Sequence, residues 1–431
     1  HPPHLTRLAL RNNDEESHTM TAETAAVLIE RAQKLRNLIR DQAEEAERLG
    51  HYTPAVHEAF QEAGFYRLLT PRRYGGLEVD VRTFAQVIME VGRGDPGTAW
   101  CLCLGQGHAL SVAAHWPERA QDEVFTNEHG YFRASHAFNP AGTATRVEGG
   151  WLVNARSRYQ SGVPYASHAT VSVLVGEEGA PPPVPGEPVA GARLMQILIP
   201  AGQFTIADDW GGDRVLGMRA SGSNSVIVEQ QVVPEHYGIV MDPDKINTTT
   251  SPGVRLHGNP MYLGAVTGGF FVLELVVSVV GAARAALDEF EHLARTRNTT
   301  VPGGGPRFKD PLYQRDFGEA RLKANAAEAI VCHTADLMTE WSRESVEGRL
   351  TITAEMGSGL GATLMQAGHL AAEAVDTLFN SAGTSASGQG QRMQRYLRDV
   401  AMWRTHIGAQ YHTFARQYGA HSFGEAHAWS F

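Results

Sequence analysis

The sequence predicts an α+β chain in three successive parts: helical, then antiparallel β, then helical. Apolar residues recur at helical spacing over 20–66 and 81–128, and again from about 260 to the end. Between 131 and 245 the pattern changes to short β-branched runs parted by Gly, Pro and Asn. The chain has 431 residues, which allows two or three domains or one of several layers. The expected division is a tag remnant or disordered lead (1–19), an N-terminal helical domain (20–130), a β domain (131–245) and a C-terminal helical domain (246–431).

The lead begins with His1 and lacks the apolar core of a signal peptide. The first helical stretch is rich in helix formers, and Thr21 with Glu23 and Thr24 offers capping at its start. "LLTPRRYGGLEVD" is a turn-rich connector, and the second stretch breaks at "GRGDPGTAW". "YFRASHAF", "ATRVEGGWLVNARSRYQSG", "HATVSVLVG", "RLMQILIP" and "NSVIVEQQVVP" read as strands. "GEEGAPPPVPGEPVAGA" reads as a surface loop of polyproline character. "RNTTVPGGGPRFKDP" separates two long helices of the last part, and "YLRDVAMWRTHIG" reads as one helix with Asp399, Trp403 and His406 on a single face.

Charge and composition narrow the function. A net charge of −10 with no long basic block disfavours nucleic acid and anionic membrane. Cys101, Cys103 and Cys332 give neither a disulfide framework nor zinc spacing, which fits a reducing cytoplasm. The segment 264–287 is long and apolar enough to span a bilayer, but Glu274 stands in its middle. A carboxylate there costs roughly 3 kcal/mol on insertion scales, so a buried bundle helix is expected.

No zincin, nucleophile-elbow or P-loop motif is present. The glycines of 355–364 lack dinucleotide-binding spacing and suit helix packing, and the nineteen histidines show no metal-ligand pattern. Four polar residues in apolar or aromatic surroundings remain: His108 on an apolar helix, Ser135 on a strand, Ser161 at a turn after a strand, and His406 near the C-terminus. Taken singly, each is more often an ordinary hydrogen-bonded residue than a catalytic one.

A resemblance brings them together. "LGMRASGSNSV" (216–226), Val233-Pro234 and Arg398-Asp399, with the helical–β–helical layout, resemble the acyl-CoA dehydrogenase fold from about residue 22 onward. Many such dehydrogenases carry their catalytic base shortly after that Arg-Asp; here its place falls on Ile407, which cannot remove a proton. The chain instead resembles the oxygenase components of two-component flavin-dependent monooxygenases of this fold. These include the hydroxyphenylacetate hydroxylases, the seco-steroid phenol hydroxylases and the dibenzothiophene monooxygenases. In order and spacing, His108 after "GRGDPGTAW", Ser135 in "FRASHAF", Ser161 in "RYQSG" and His406 after Arg398-Asp399 match the family pattern.

The resemblance implies reduced flavin from a separate NAD(P)H:flavin reductase, O₂ as co-substrate and a C4a-hydroperoxide as the oxygenating species. It gives Ser161 a hydrogen bond at flavin N5, His406 the peroxide proton, His108 the phenol hydroxyl and Ser135 its orientation. Trp100 and Trp403 are expected as site walls or as ordinary core. Ser221 and Ser223 are expected to meet the flavin, with Gly383 and Thr384 reaching it from a neighbouring subunit of a homotetramer. Arg321 and Arg392 are candidate phosphate partners. The insertion at 299–311 disturbs the dehydrogenases' R-x-x-F-G motif, which favours FMNH₂ over FADH₂. Sulfur or nitrogen oxygenation on the same scaffold, an acyl-CoA dehydrogenase with a displaced base (Glu274 being a poor fit) and a non-catalytic flavoprotein remain open.

Overall fold

The computed structural model describes residues 24–176, 191–241, 251–264 and 267–425. The amino-terminal lead, the capping read at Thr21 and most of the proline-rich loop lie outside these residues. The first helical stretch is not one helix. α1 (24–41) and α2 (Ala43–Leu49) stop at Gly50, whose φ of 88° suits glycine. α3 (Pro54–Glu62) restarts with the Thr53 hydroxyl accepting from Val56 N. The connector then forms two 3₁₀ turns, Phe65–Arg67 and Arg72–Tyr74. α4 (Val81–Gly94) and α5 (Pro96–Gln106) share Asp95, which ends one and caps the other. Pro96 fixes the break, since it has no N–H to continue the ladder. α6 (His108–His115) follows across Gly107, and α7 (Glu118–Phe125) completes this part.

The middle part is one eight-stranded sheet. Its strands are β1 (Ala134–Ala137), β2 (Gly142–Val147), β3 (Gly150–Ser157), β4 (His168–Val175), β5 (Arg193–Pro200), β6 (Thr205–Ile206), β7 (Val226–Pro234) and β8 (Gly238–Val240). The order is β6-β7-β3-β2-β4-β5-β8, with β1 beside β4. The expectation of a purely antiparallel sheet needs correction, because β1 runs parallel to β4, with Ala134 opposite His168. The excursion through β2, β3 and the 158–167 turn is long enough to bring the chain back in the same direction.

The last part holds α8 (Pro252–His257), α9 (Thr267–Thr296), α10 (Pro311–Val346), α11 (Ala354–Ala382), α12 (Arg392–Trp403) and α13 (Tyr411–Ser422). α9 packs along α4 and α11, and α10 along α11. α9 is long and apolar enough to cross a membrane, but 83% of its most apolar stretch is buried inside the protein, as a core helix requires. The glycines of 355–364 lie in α11, where Gly359 packs against Tyr418 of α13. A second correction concerns 396–408, which is not one helix. α12 ends at Trp403, and His406 is extended (φ −64°, ψ 135°) ahead of the 3₁₀ turn Ile407–Ala409. The Gln410 amide takes the carbonyls of Arg404 and His406, and the His406 ring caps Gly408 N. Those side-chain caps compete successfully with another helical turn.

Candidate active site

A chain of hydroxyls forms where α5, the turn after β3 and the segment before β7 converge. The Trp100 indole N–H donates to Ser161 Oγ at 3.0 Å. Ser161 Oγ lies 2.7 Å from Ser223 Oγ, which lies 2.6 Å from Ser221 Oγ. All three serines are buried. The backbone forces this convergence. Gly162 N donates to Ser221 O at 3.1 Å, and Gly222 N to Gly50 O at 2.7 Å. Gly162 has φ 80°, and a Cβ there would stand 2.6 Å from Gly105 N. Only glycine fits such a crossing.

Polar groups of Arg133 on one side and of α12 on the other brace the cluster. The Arg133 Nη2 donates to the carbonyls of Cys101 (3.3 Å), Gly162 (2.9 Å) and Pro164 (3.4 Å), tying the turn to α5. Its guanidinium faces the Tyr66 and Tyr52 rings, 4.9 and 5.6 Å from their centroids. On the other side, Asp399 of α12 accepts from Met218 N at 2.6 Å, and Arg398 donates to Leu216 O at 3.2 Å. The two motifs recognised far apart in sequence therefore meet, and they fix the loop that carries Ser221 and Ser223.

His406 sits against Trp100, ring centroids 5.6 Å apart. Its Nδ1 accepts from Gly408 N at 3.0 Å, so the neutral ring carries its hydrogen on Nε2. Burial lowers its pKa to about 4. Trp403 sends its indole N–H to Leu275 O of α9 at 2.6 Å and so anchors α12. Thus Trp100, Ser161, Ser221, Ser223 and His406 come together as one cluster.

His108 stands at the start of α6 and Ser135 on β1; the neighbour of Ser135 on the strand, His136, is the one that meets His108. His108 Nδ1 donates to Ala134 O at 2.7 Å, which leaves a lone pair on Nε2. Burial lowers its pKa to about 4, opposed by that backbone bond. Ser135 is fully buried, and its Oγ has no partner among the described residues. His136, also on β1, meets the His108 ring edge-to-face at 5.2 Å. Phe271 lies beside both histidines, and Phe138, 41% exposed, packs on Phe271 and His136. Sequence reading missed His136, Phe138 and Phe271, although the histidine and the phenylalanines in "FRASHAF" alternate along one strand.

Other expected residues lie elsewhere. Gly383 and Thr384 end α11 and open a 3₁₀ turn beside Arg307, whose Nη1 donates to Ala382 O at 2.8 Å. Arg392 faces Glu289 and Asp41 along a surface cleft of about 310 Å³. Arg321 is exposed on α10.

Comparison with known proteins agrees with this architecture. Residues 17–126 match the acyl-CoA dehydrogenase N-terminal domain, and residues 273–411 match the acyl-CoA dehydrogenase C-terminal domain. The flavin-dependent monooxygenase oxygenase subunit HsaA of Rhodococcus jostii is 28% identical over 92% of this chain and 98% of its own length. The oxygenase component of p-hydroxyphenylacetate 3-hydroxylase from Acinetobacter baumannii is 24% identical over 95% of this chain and 92% of its own. Among solved structures, XiaF from a Streptomyces species, in complex with FADH₂ and glycerol, superposes with a TM-score of 0.82 at 27% identity, covering 95% of this chain and 98% of that one. The chain belongs to the acyl-CoA dehydrogenase family and, within it, to the flavin-dependent monooxygenases.

Proposed function

We propose that this monooxygenase hydroxylates a phenolic or polycyclic aromatic compound, drawing reduced flavin from a separate NAD(P)H:flavin reductase and acting as a cytoplasmic homotetramer. The observation that carries the reading is the continuous contact His406–Trp100–Ser161–Ser223–Ser221, with the His108 lone pair in a separate aromatic-walled group. The names of the HsaA and hydroxyphenylacetate relatives support oxygenase chemistry, and the latter supports a phenol.

The residues fit a flavin. Three hydroxyls carry three hydrogens but make only two bonds with one another, so one O–H is left to donate. Ser221 is wholly buried while Ser161 retains some surface, so the spare hydrogen emerges at Ser161. Trp100, Ser161, Ser221 and Ser223 would hold the ring, and Gly383 and Thr384 of a neighbouring subunit would approach it. Bound reduced flavin supplies the electrons that activate O₂. His406 keeps a hydrogen on Nε2 in a partly buried place beside Trp100. His108 Nε2 accepts a hydrogen bond from the substrate hydroxyl, which raises electron density on the aromatic ring, and Ser135 orients that hydroxyl.

FMN is favoured by the insertion at 299–311, and FADH₂ is the alternative held by XiaF. The three-part division near residues 130 and 245 serves this arrangement, each part supplying side chains to it. A dehydrogenase reading is disfavoured because the expected base position is Ile407, which is 62% exposed.

The test mixes anaerobic protein and reduced FMN, or reduced FAD, with oxygenated buffer and a panel of phenols. Hydroxylated product is expected in proportion to flavin consumed, together with a preference between the flavins. Stoichiometric H₂O₂ without product from any phenol would refute the substrate class. Anaerobic reduction of bound oxidised flavin by an acyl-CoA thioester would restore the dehydrogenase reading.

A further inference from the structure

We propose that Glu274 and His108 form a two-point clamp for the substrate hydroxyl, with Glu274 donating a hydrogen bond to its oxygen and His108 Nε2 accepting its hydrogen. The inference rests on the phenolic reading above and assigns a carboxyl group that the reading leaves unused.

Glu274 lies in the most apolar stretch of α9 and is fully buried. Among the described residues, neither of its carboxyl oxygens has a hydrogen-bond partner. Buried polar atoms are nearly always paired, so an orphaned carboxyl facing a functional residue marks a place for a ligand group. Its Oε2 stands 3.9 Å from His108 Nε2. That is too long for a direct hydrogen bond. It suits one oxygen set off the line between them, about 2.8 Å from each.

Two further features define the polarity of the gap. The His108 ring gives its only hydrogen to Ala134 O, so Nε2 can only accept. Among the described residues the carboxyl faces no cation; His108 and the Cys103 thiol are the titratable groups beside it, and burial raises its pKa well above the usual carboxylate range. A neutral acid therefore presents an O–H. Donor and acceptor meet across the gap, which is the complement of a hydroxyl.

The chain beside Glu274 leaves room for the carboxyl only because residue 107 is glycine. Gly107 separates α5 from α6, and a Cβ there would occupy the position of Glu274 Oε1. The aromatic group of His136, Phe271 and the partly exposed Phe138 extends from His108 toward the surface, a wall suited to a flat ring.

The test titrates flavin-free protein with 4-nitrophenol and with its methyl ether, 4-nitroanisole. The absorbance bands of nitrophenol also show whether it is bound as phenol or phenolate. The wild type should bind the neutral phenol and prefer it over the ether. Glu274→Met should weaken phenol binding about tenfold, the cost of one lost buried hydrogen bond, and leave the ether unmoved. Glu274→Gln keeps an N–H donor and should stay within about threefold of wild type. Gly107→Ala, which fills the carboxyl's space, should reproduce the Met result. Melting curves report folding, and Glu274→Gln carries the test if Glu274→Met fails to fold. A wild-type preference that survives in Glu274→Met, or is lost in Glu274→Gln, overturns the clamp alone. No wild-type preference for the phenol, the result expected if the gap holds only water, overturns the phenolic reading together with the clamp.

Discussion

The two ends of the site are built on opposite terms. Around Ser161 the polar side chains satisfy one another: the Trp100 N–H and three serine hydroxyls form one hydrogen-bonded chain. Around His108 they do not, because both Glu274 oxygens lack partners among the described residues. A satisfied network is rigid before its ligand arrives, whereas unsatisfied groups gain most of their hydrogen bonding from the ligand. The first suits a cofactor bound the same way each turnover, and the second a substrate that must be told apart from near relatives. Such discrimination is strong when rejection leaves buried groups unpaired.

Breaking the satisfied end should have the largest effect, and it should appear as stability. Gly162→Ala forces a side chain into left-handed backbone against Gly105 and is expected to cost about 3 kcal/mol in denaturant unfolding. Breaking the other end should show in chemistry instead. His108→Ala should lower hydroxylated product about a hundredfold, as for loss of a proton-handling group, while the rate of flavin reoxidation stays near wild type. Equal losses in both would erase the distinction between the ends. Ser161→Ala removes the emerging O–H and orphans the Trp100 N–H; product per flavin should fall about tenfold, with H₂O₂ making up the balance. Unchanged coupling would mean that the spare hydrogen emerges at Ser221.

The last effect is a change of slope with pH. The His108 ring takes a proton below about 4 when folded and near 6.5 when unfolded. Between those values the unfolded chain binds more protons, so this residue's contribution to stability is complete above about 6.5 and is lost as pH falls toward 4. His108→Gln should flatten the dependence of unfolding free energy on pH in that window by up to about 1.4 kcal/mol per pH unit. An unaltered slope would place the ring in water rather than in the core.

Much of this was legible in the sequence because the signals were local or came as whole motifs. Asp95-Pro96 announced the α4–α5 break, and the 216–219 and 398–399 motifs marked the two sides of one contact. The sequence points to four polar residues but not to their neighbours. Ser161 meets Ser223, and His108 meets Glu274, only after β3 and α9 have packed. Glu274 announced itself as a lone acid in an apolar run, yet that pattern does not say what the acid faces. His406 was misplaced on a helix because residue spacing records periodicity and not the caps that Gln410 and the His406 ring supply.

Consecutive residues of α9 look toward opposite ends of the site. Glu274 stands by His108, while the Leu275 carbonyl holds Trp403, three residues before His406. Retailoring the substrate end by redesigning α9 would therefore disturb oxygen handling as well. β1 carries no such double duty, so His136, and Phe138 just past the strand's end, are the positions where a protein engineer, or natural divergence, can exchange one substrate for another and keep the oxidising machinery intact.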